Sequence, residues 1–207
     1  MNTDYEARHT MVAIARIISA RSLTHSTTGN VSVRVGDRIL ITPTGSSLAT
    51  VEPDDLSGID ENGNHVGGPK PSKEAFVHAA VLRARPQDNA VIHTHSTHAA
   101  AVSCLDGLDS ADALPAFTAY FAMRVGKVPL LAYHAPGDQA LGPIVQTAAV
   151  GNRALLLSHH GPIVAGVTLD SALECLEELE ENAKLYFLLA GYPTRPLSPE
   201  QVAALRR

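Results

Sequence analysis

The chain has 207 residues, 45% of them hydrophobic and 18% charged, with a formal net charge of −5. These figures exclude a disordered polymer and a protein whose overall field draws it to nucleic acid or anionic lipid. They fit one compact domain over residues 1–207, long enough to bury a core.

Met1-Asn2-Thr3-Asp4-Tyr5-Glu6 carries neither a basic patch nor an apolar core, so no signal peptide is expected there. No apolar run approaches the roughly 20 residues of a membrane span. Cys104 and Cys175 stand alone, which favours a reducing compartment. The expected setting is the cytoplasm. Ala7, Met11, Ile14, Ile17 and Ile18 recur at helical spacing and predict a first helix over about Asp4 to Ala20. The polar loop Thr24 to Asn30 leads into the alternating Val31-Ser32-Val33-Arg34-Val35, a strand, with Gly36-Asp37 as a hairpin turn and Arg38 to Thr42 as the partner strand. Pro43-Thr44-Gly45-Ser46-Ser47 is a second small polar loop. About Leu56 to His65 reads as a short strand with a turn at Asn62-Gly63.

Pro71-Ser72 announces a helix carrying Glu74, Ala75, His78, Val81 and Leu82, with Ser72 as its expected N-cap and Glu74 in its first turn. The strand Asn89-Ala90-Val91-Ile92 ends in His93-Thr94-His95, and a small-residue helix follows over about Thr97 to Cys104. A strand at Val128 to Leu131 and a helix from Gly137 to Val150 come next. Ala154 to Leu157 and Ile163 to Ala165 flank His159-His160-Gly161 as a hairpin. The helix from Thr168 to Ala190 turns Ala172, Leu176, Leu179, Ala183 and Tyr186 inward and Glu177, Glu178, Glu180 and Glu181 to water, with Gly191 as its stop. Ser198-Pro199-Glu200-Gln201 starts a last helix with a capping box. Hairpins interleaved with helices predict an α/β or α+β layer architecture, a sheet covered by helices on its faces.

Side chains two apart on a strand share a face, so His93 and His95 converge as a metal site requires. His160 needs only to approach from its hairpin to complete three nitrogens. His159 points the other way if the backbone is extended, and His98 reads as packing around the site. Glu74, at a helix start, is the carboxylate that could complete a zinc site and then leave it to do chemistry. The Ser72 cap, the free helix N–H groups and Lys73 together favour an anion, as do the loops Thr28-Gly29-Asn30 and Thr44-Gly45-Ser46.

Five ordered segments then resemble one family along nearly the whole chain. They are Thr28-Gly29-Asn30-Val31-Ser32, Thr42-Pro43-Thr44-Gly45, Pro71-Ser72-Lys73-Glu74, Val91-Ile92-His93-Thr94-His95-Ser96 and His159-His160-Gly161-Pro162. The chain resembles the class II aldolase/adducin family. The resemblance implies an αβα sandwich, with a mostly antiparallel sheet covered on both faces. It implies a homotetramer with active sites between neighbouring subunits. It implies one zinc per subunit, held by His93, His95 and His160, with Glu74 as resting ligand and acid/base. Asn30, Thr44, Gly45 and Ser72 match its phosphate-binding positions. Tyr133 aligns with a mobile tyrosine supplied by an adjoining subunit, and Tyr120 is the other candidate proton carrier.

Lys73 stands where fuculose-phosphate-type aldolases usually have a second serine. That substitution, together with Ser103 to Asp109, Met123 to Leu130, Pro136-Gly137-Asp138 and Glu177 to Glu181, looks like the decarboxylase branch acting on 3-oxo-tetronate 4-phosphates. The implied reaction yields carbon dioxide and dihydroxyacetone phosphate through a metal-stabilised enediolate, which retro-aldol cleavage would also form. A sugar-phosphate aldolase is therefore the second expectation. A non-catalytic, adducin-like interaction module is the third, and it predicts degraded metal positions. The expected partner is a small phosphorylated sugar acid, without nucleic acid or membrane.

Overall fold

The structure, a computed structural model, describes residues 3–205. Met1 and Asn2, part of the N-terminal stretch discussed above, lie outside the described residues. Eight strands share one sheet: β1 (Asn30–Val35), β2 (Arg38–Ile41), β3 (Ser57–Ile59), β4 (His65–Gly67), β5 (Ala90–His93), β6 (Leu130–Leu131), β7 (Ala154–Leu157) and β8 (Gly161–Gly166). Their order is β4-β3-β2-β1-β5-β8-β7-β6, with every neighbouring pair antiparallel except β6 and β7. The helices are α1 (Asp4–Ala20), α2 (Ala75–Ala84), α3 (Thr97–Val102), α4 (Ala119–Arg124), α5 (Leu141–Ala149), α6 (Leu169–Leu188) and α7 (Pro199–Ala204).

Alternation along the strands divides the core in two. Val31, Val33, Ile92, Leu156 and Val164 face α1, α3, α4 and α6, whereas Ile41, Val91, Leu155, Leu157 and Ile163 face α2 and α5. Each such aliphatic side chain, once fully buried, contributes roughly 1.5–3 kcal/mol relative to exposure. The result is the expected αβα sandwich. Capping boxes start α1 at Thr3 and α7 at Ser198, and Thr168 caps α6.

Several boundaries differ from expectation for local reasons. Helix α2 starts at Ala75, and Glu74, not Ser72, occupies its cap position; the Ser72 hydroxyl instead accepts the Glu74 N–H at 3.2 Å in the preceding turn. Leu56 to His65 turns at Asn62-Gly63 as expected, with a separate strand on each side of the turn. Asp60 accepts the N–H groups of Asn62 and Asn64, both at 2.8 Å, and folds the segment into the β3–β4 hairpin. Helix α5 begins only at Leu141, because Gly137 adopts a φ of 89° that no helix continues. Helix α4 was not expected at all. Glu180 is no solvent-facing charge: its carboxylate accepts the backbone N–H groups of His98 and Ala99, both at 2.9 Å, and so caps α3.

Candidate active site

The two central strands bring the site together. In the β1–β5 register Asn30 lies opposite His93, and in the β5–β8 register His93 lies opposite Ile163. His93 is the last residue of β5; His95 lies beyond the strand, in the loop that leads to α3. The β7–β8 turn closes over this loop. Gly161 sits so close that an added Cβ would fall 2.3 Å from the Thr94 carbonyl oxygen, so only glycine fits. The Pro162 carbonyl accepts from Thr94 N–H at 3.2 Å and from His93 Nδ1 at 2.8 Å. That bond places the His93 proton on Nδ1 and leaves the Nε2 lone pair facing inward.

His93, His95 and His160 each offer a nitrogen within a 4.8 Å cluster. Their ring centroids are 4.5–5.1 Å apart. His159 is excluded, though not for the reason of extended backbone. It is a turn residue with φ of 55°; its N–H reaches the Ser103 carbonyl at 3.2 Å, and its ring meets that of Tyr133 at 6.0 Å.

Glu74 enters from the start of α2. Its carboxylate oxygens lie 3.4 Å from His93 Nε2 and 3.3 Å from His160 Nε2. Asn30 Nδ2 donates to the same carboxylate at 2.9 Å. Burial pushes the Glu74 carboxyl up, but His93, the Asn30 hydrogen bond and His160 outweigh it and hold it at about 2. Burial, followed by the charge of His93, pushes His95 and His160 down to about 4. At neutral pH both are uncharged, with lone pairs to give. Three imidazole nitrogens and one carboxylate in one cluster fit a divalent ion, and their chemistry suits zinc.

The Pro43–Pro71 bridge, with Thr44 N–H on the Lys70 carbonyl at 3.1 Å and Ser72 N–H on the Thr42 carbonyl at 3.2 Å, lays two expected anion loops side by side. Thr44, Gly45 and Lys73 are exposed there, beside half-buried Ser72. The Asn30 amide is engaged by Glu74 and by His78. Gly29 has φ of 80°, and a Cβ there would meet the His93 carbonyl oxygen at 3.0 Å, so this glycine lets the β1 entrance pack on the end of β5. Neither tyrosine hydrogen-bonds Glu74 or the three histidines among the described residues. Tyr133 is 61% exposed beside His159, and Tyr120, 59% exposed, lies under the Arg124 guanidinium. His98 turns to Glu180 at 2.8 Å. His78, which belongs to no motif, is fully buried directly behind Asn30.

Residues 9–187 match the model of the class II aldolase and adducin N-terminal domain. A relative from Haemophilus influenzae named 3-oxo-tetronate 4-phosphate decarboxylase is 43% identical, over 98% of this chain and 97% of its own. The L-fuculose phosphate aldolase of Escherichia coli K12 is 38% identical, over 88% of this chain and 84% of its own. A solved structure from Klebsiella pneumoniae, YgbL, whose name leaves aldolase, epimerase and decarboxylase open, superposes with a TM-score of 0.96 at 37% identity and full coverage of both chains.

Proposed function

The chain belongs to the class II aldolase and adducin family, and from that premise we propose that it is a zinc-dependent 3-oxo-tetronate 4-phosphate decarboxylase. It is an enzyme, a carbon–carbon lyase. The products would be carbon dioxide and dihydroxyacetone phosphate. One observation carries the reading: a carboxylate wedged between two members of a three-histidine cluster, in a chain alignable end to end with a named decarboxylase.

A divalent ion held by His93, His95 and His160 would supply Lewis-acid stabilisation of the negative charge that develops on the substrate's ketone oxygen. The chain's own residues do the rest. Thr44, Gly45 and Ser72 line the two apposed loops where backbone N–H groups could hold the phosphate. Lys73, beside Ser72, would hold either that phosphate or the departing carboxylate. When the bond between the carboxyl and its neighbouring carbon breaks, its electron pair stays on that carbon as an enediolate, and Glu74, having taken up a proton from solvent once displaced from the histidines, delivers that proton there. A Glu74 released from His93 and His160 keeps the burial that raises its affinity for a proton, so leaving the cluster prepares it to act as an acid. Tyr133, from a neighbouring subunit, or else Tyr120 would act in this chemistry as second proton carrier, in a homotetramer located in the cytoplasm.

The test is direct. Purified without chelators, the protein should carry about one zinc per chain and release carbon dioxide from the 3-oxo-tetronate phosphate. Aldehyde release from fuculose 1-phosphate with no carbon dioxide from the oxo acid would establish an aldolase instead. Absence of metal and of either activity would point to an interaction module.

A further inference from the structure

Behind Glu74 a buried chain of polar groups runs between sheet and helix. Asn30 Nδ2 donates to Glu74, Asn30 Oδ1 is hydrogen-bonded to His78 Nε2, and His78 Nδ1 meets Ser32 Oγ at 2.7 Å. His78 and Ser32 are wholly buried, and Asn30 nearly so. Two periodicities build the chain. Asn30 and Ser32 are two apart on β1 and share its α2-facing side, while Glu74 and His78 are four apart at the start of α2. The two pairs interleave.

The polarity of this chain is fixed from its outer end. An ionised carboxylate only accepts, so Asn30 must turn its amide nitrogen to Glu74 and its oxygen to His78. An amide oxygen also only accepts, so the His78 proton sits on Nε2. Nδ1 then holds a lone pair, and the Ser32 hydroxyl donates to it. Burial keeps the ring neutral, pushing it down to about 3.

We propose that His78 is a positioning residue: held by Ser32 as the Nε2-protonated tautomer, it locks the Asn30 amide in the orientation that donates to Glu74. With the amide reversed, two oxygens would face each other across the Asn30–Glu74 contact. The inference rests on Glu74 being the acid/base, as proposed above.

A double-mutant cycle on the zinc-loaded enzyme tests it. His78→Leu fills the space without the donor. It should lower kcat about tenfold or more, with KM within about twofold. His78→Gln restores an N–H and should recover most of the loss. Asn30→Ala already cuts the chain, so adding His78→Leu should cost nothing further. Losses that multiply, a loss confined to KM, or no recovery in His78→Gln would overturn the proposal.

Nitrogen NMR of histidine-labelled wild-type enzyme answers the question even where His78→Leu fails to fold. Nε2 should carry the proton and Nδ1 remain bare between about pH 6 and 8. A proton on Nδ1 would reverse the whole chain and refute it. Glu74→Gln, measured alongside, separates the two levels. Near-normal turnover there removes the acid/base reading and this inference with it, whereas a loss of about 100-fold or more beside multiplicative losses in the cycle removes this inference alone.

Discussion

His159 and His160 are chain neighbours with opposite surroundings, and the difference lies in one turn. The Leu157–His160 turn, closed by His160 N–H on the Leu157 carbonyl at 3.1 Å, aims one ring at His93 and the other at Tyr133. His160→Ala should therefore release the metal and His159→Ala retain it, as metal analysis after dialysis will show; the reverse pattern would remove His160 from the proposed ligand set. Lys73 is the residue on which the proposed decarboxylase reading and the aldolase reading differ most. An exposed ammonium beside Ser72 can form a charge-assisted bond worth roughly 1.5–3 kcal/mol. Lys73→Ser should thus lower kcat/KM for the oxo acid by about 10- to 150-fold with metal content unchanged. Equal loss on every phosphorylated substrate would assign Lys73 to the phosphate, loss on the oxo acid alone would assign it to the carboxylate, and no loss would leave it a solvated lysine. At this scale the convergence of His93, His95, His160 and Glu74 was legible, because His-x-His, His-His-Gly-Pro and a helix-start glutamate each carry local spacing. His78 was not. Its meaning lies in which strand α2 packs against, and only the assembled sheet supplies Asn30 and Ser32.

Among the elements, α3 holds the position of His95. It begins two residues after that histidine, and its cap residue Ser96 offers no side-chain hydrogen bond. Glu180 of α6 takes over the task, accepting two N–H groups from the first turn of α3. Glu180→Ala leaves those donors without their acceptor and should destabilise the fold by about 1–3 kcal/mol in urea melts. Metal affinity should weaken as well, because the loop bearing His95 loses its anchor; unchanged stability and affinity would show that water replaces the carboxylate. The long helices α1 and α6 were readable from their apolar stripes. Helix α4 was not, because six residues are too few for a period to declare itself, whereas β6 falls within the strand expected at Val128 to Leu131. The capping role of Glu180 is hidden in the sequence for a related reason. A glutamate on a helix flank looks solvated until another helix start is packed against it.

For the whole molecule, the site creates an acid weakness. His78, His95 and His160 are held down, by burial first, to about 3, 4 and 4, from 6.5 in an unfolded chain. A depressed folded value means that the unfolded chain binds more protons below pH 6.5. The stability these groups contribute is thus complete above that pH and is lost as pH falls through the folded values. Each group adds a slope of up to roughly 1.4 kcal/mol per pH unit. Glu74, held at about 2 against 4.5, adds a further loss only below 4.5. Urea melts of the metal-free protein should show stability declining from about pH 6.5 downward; a flat profile to pH 5 would contradict neutral buried histidines. Composition and hairpin patterning sufficed to read a helix-covered sheet. They did not reveal the strand order that places β5 between β1 and β8.

That strand order also bears on the timing of folding. His160 stands 67 positions from His93, and Asn30 stands 44 from Glu74. No short stretch of chain holds a finished site, so the proposed ion would have no complete ligand set until β5 has found both neighbours. Metal should therefore be captured late, after the rate-limiting step. Refolding should proceed at the same speed with or without zinc, while unfolding slows in its presence. Stopped-flow traces in both directions would reveal the asymmetry, and faster refolding with zinc would mean that a partial site nucleates the sheet.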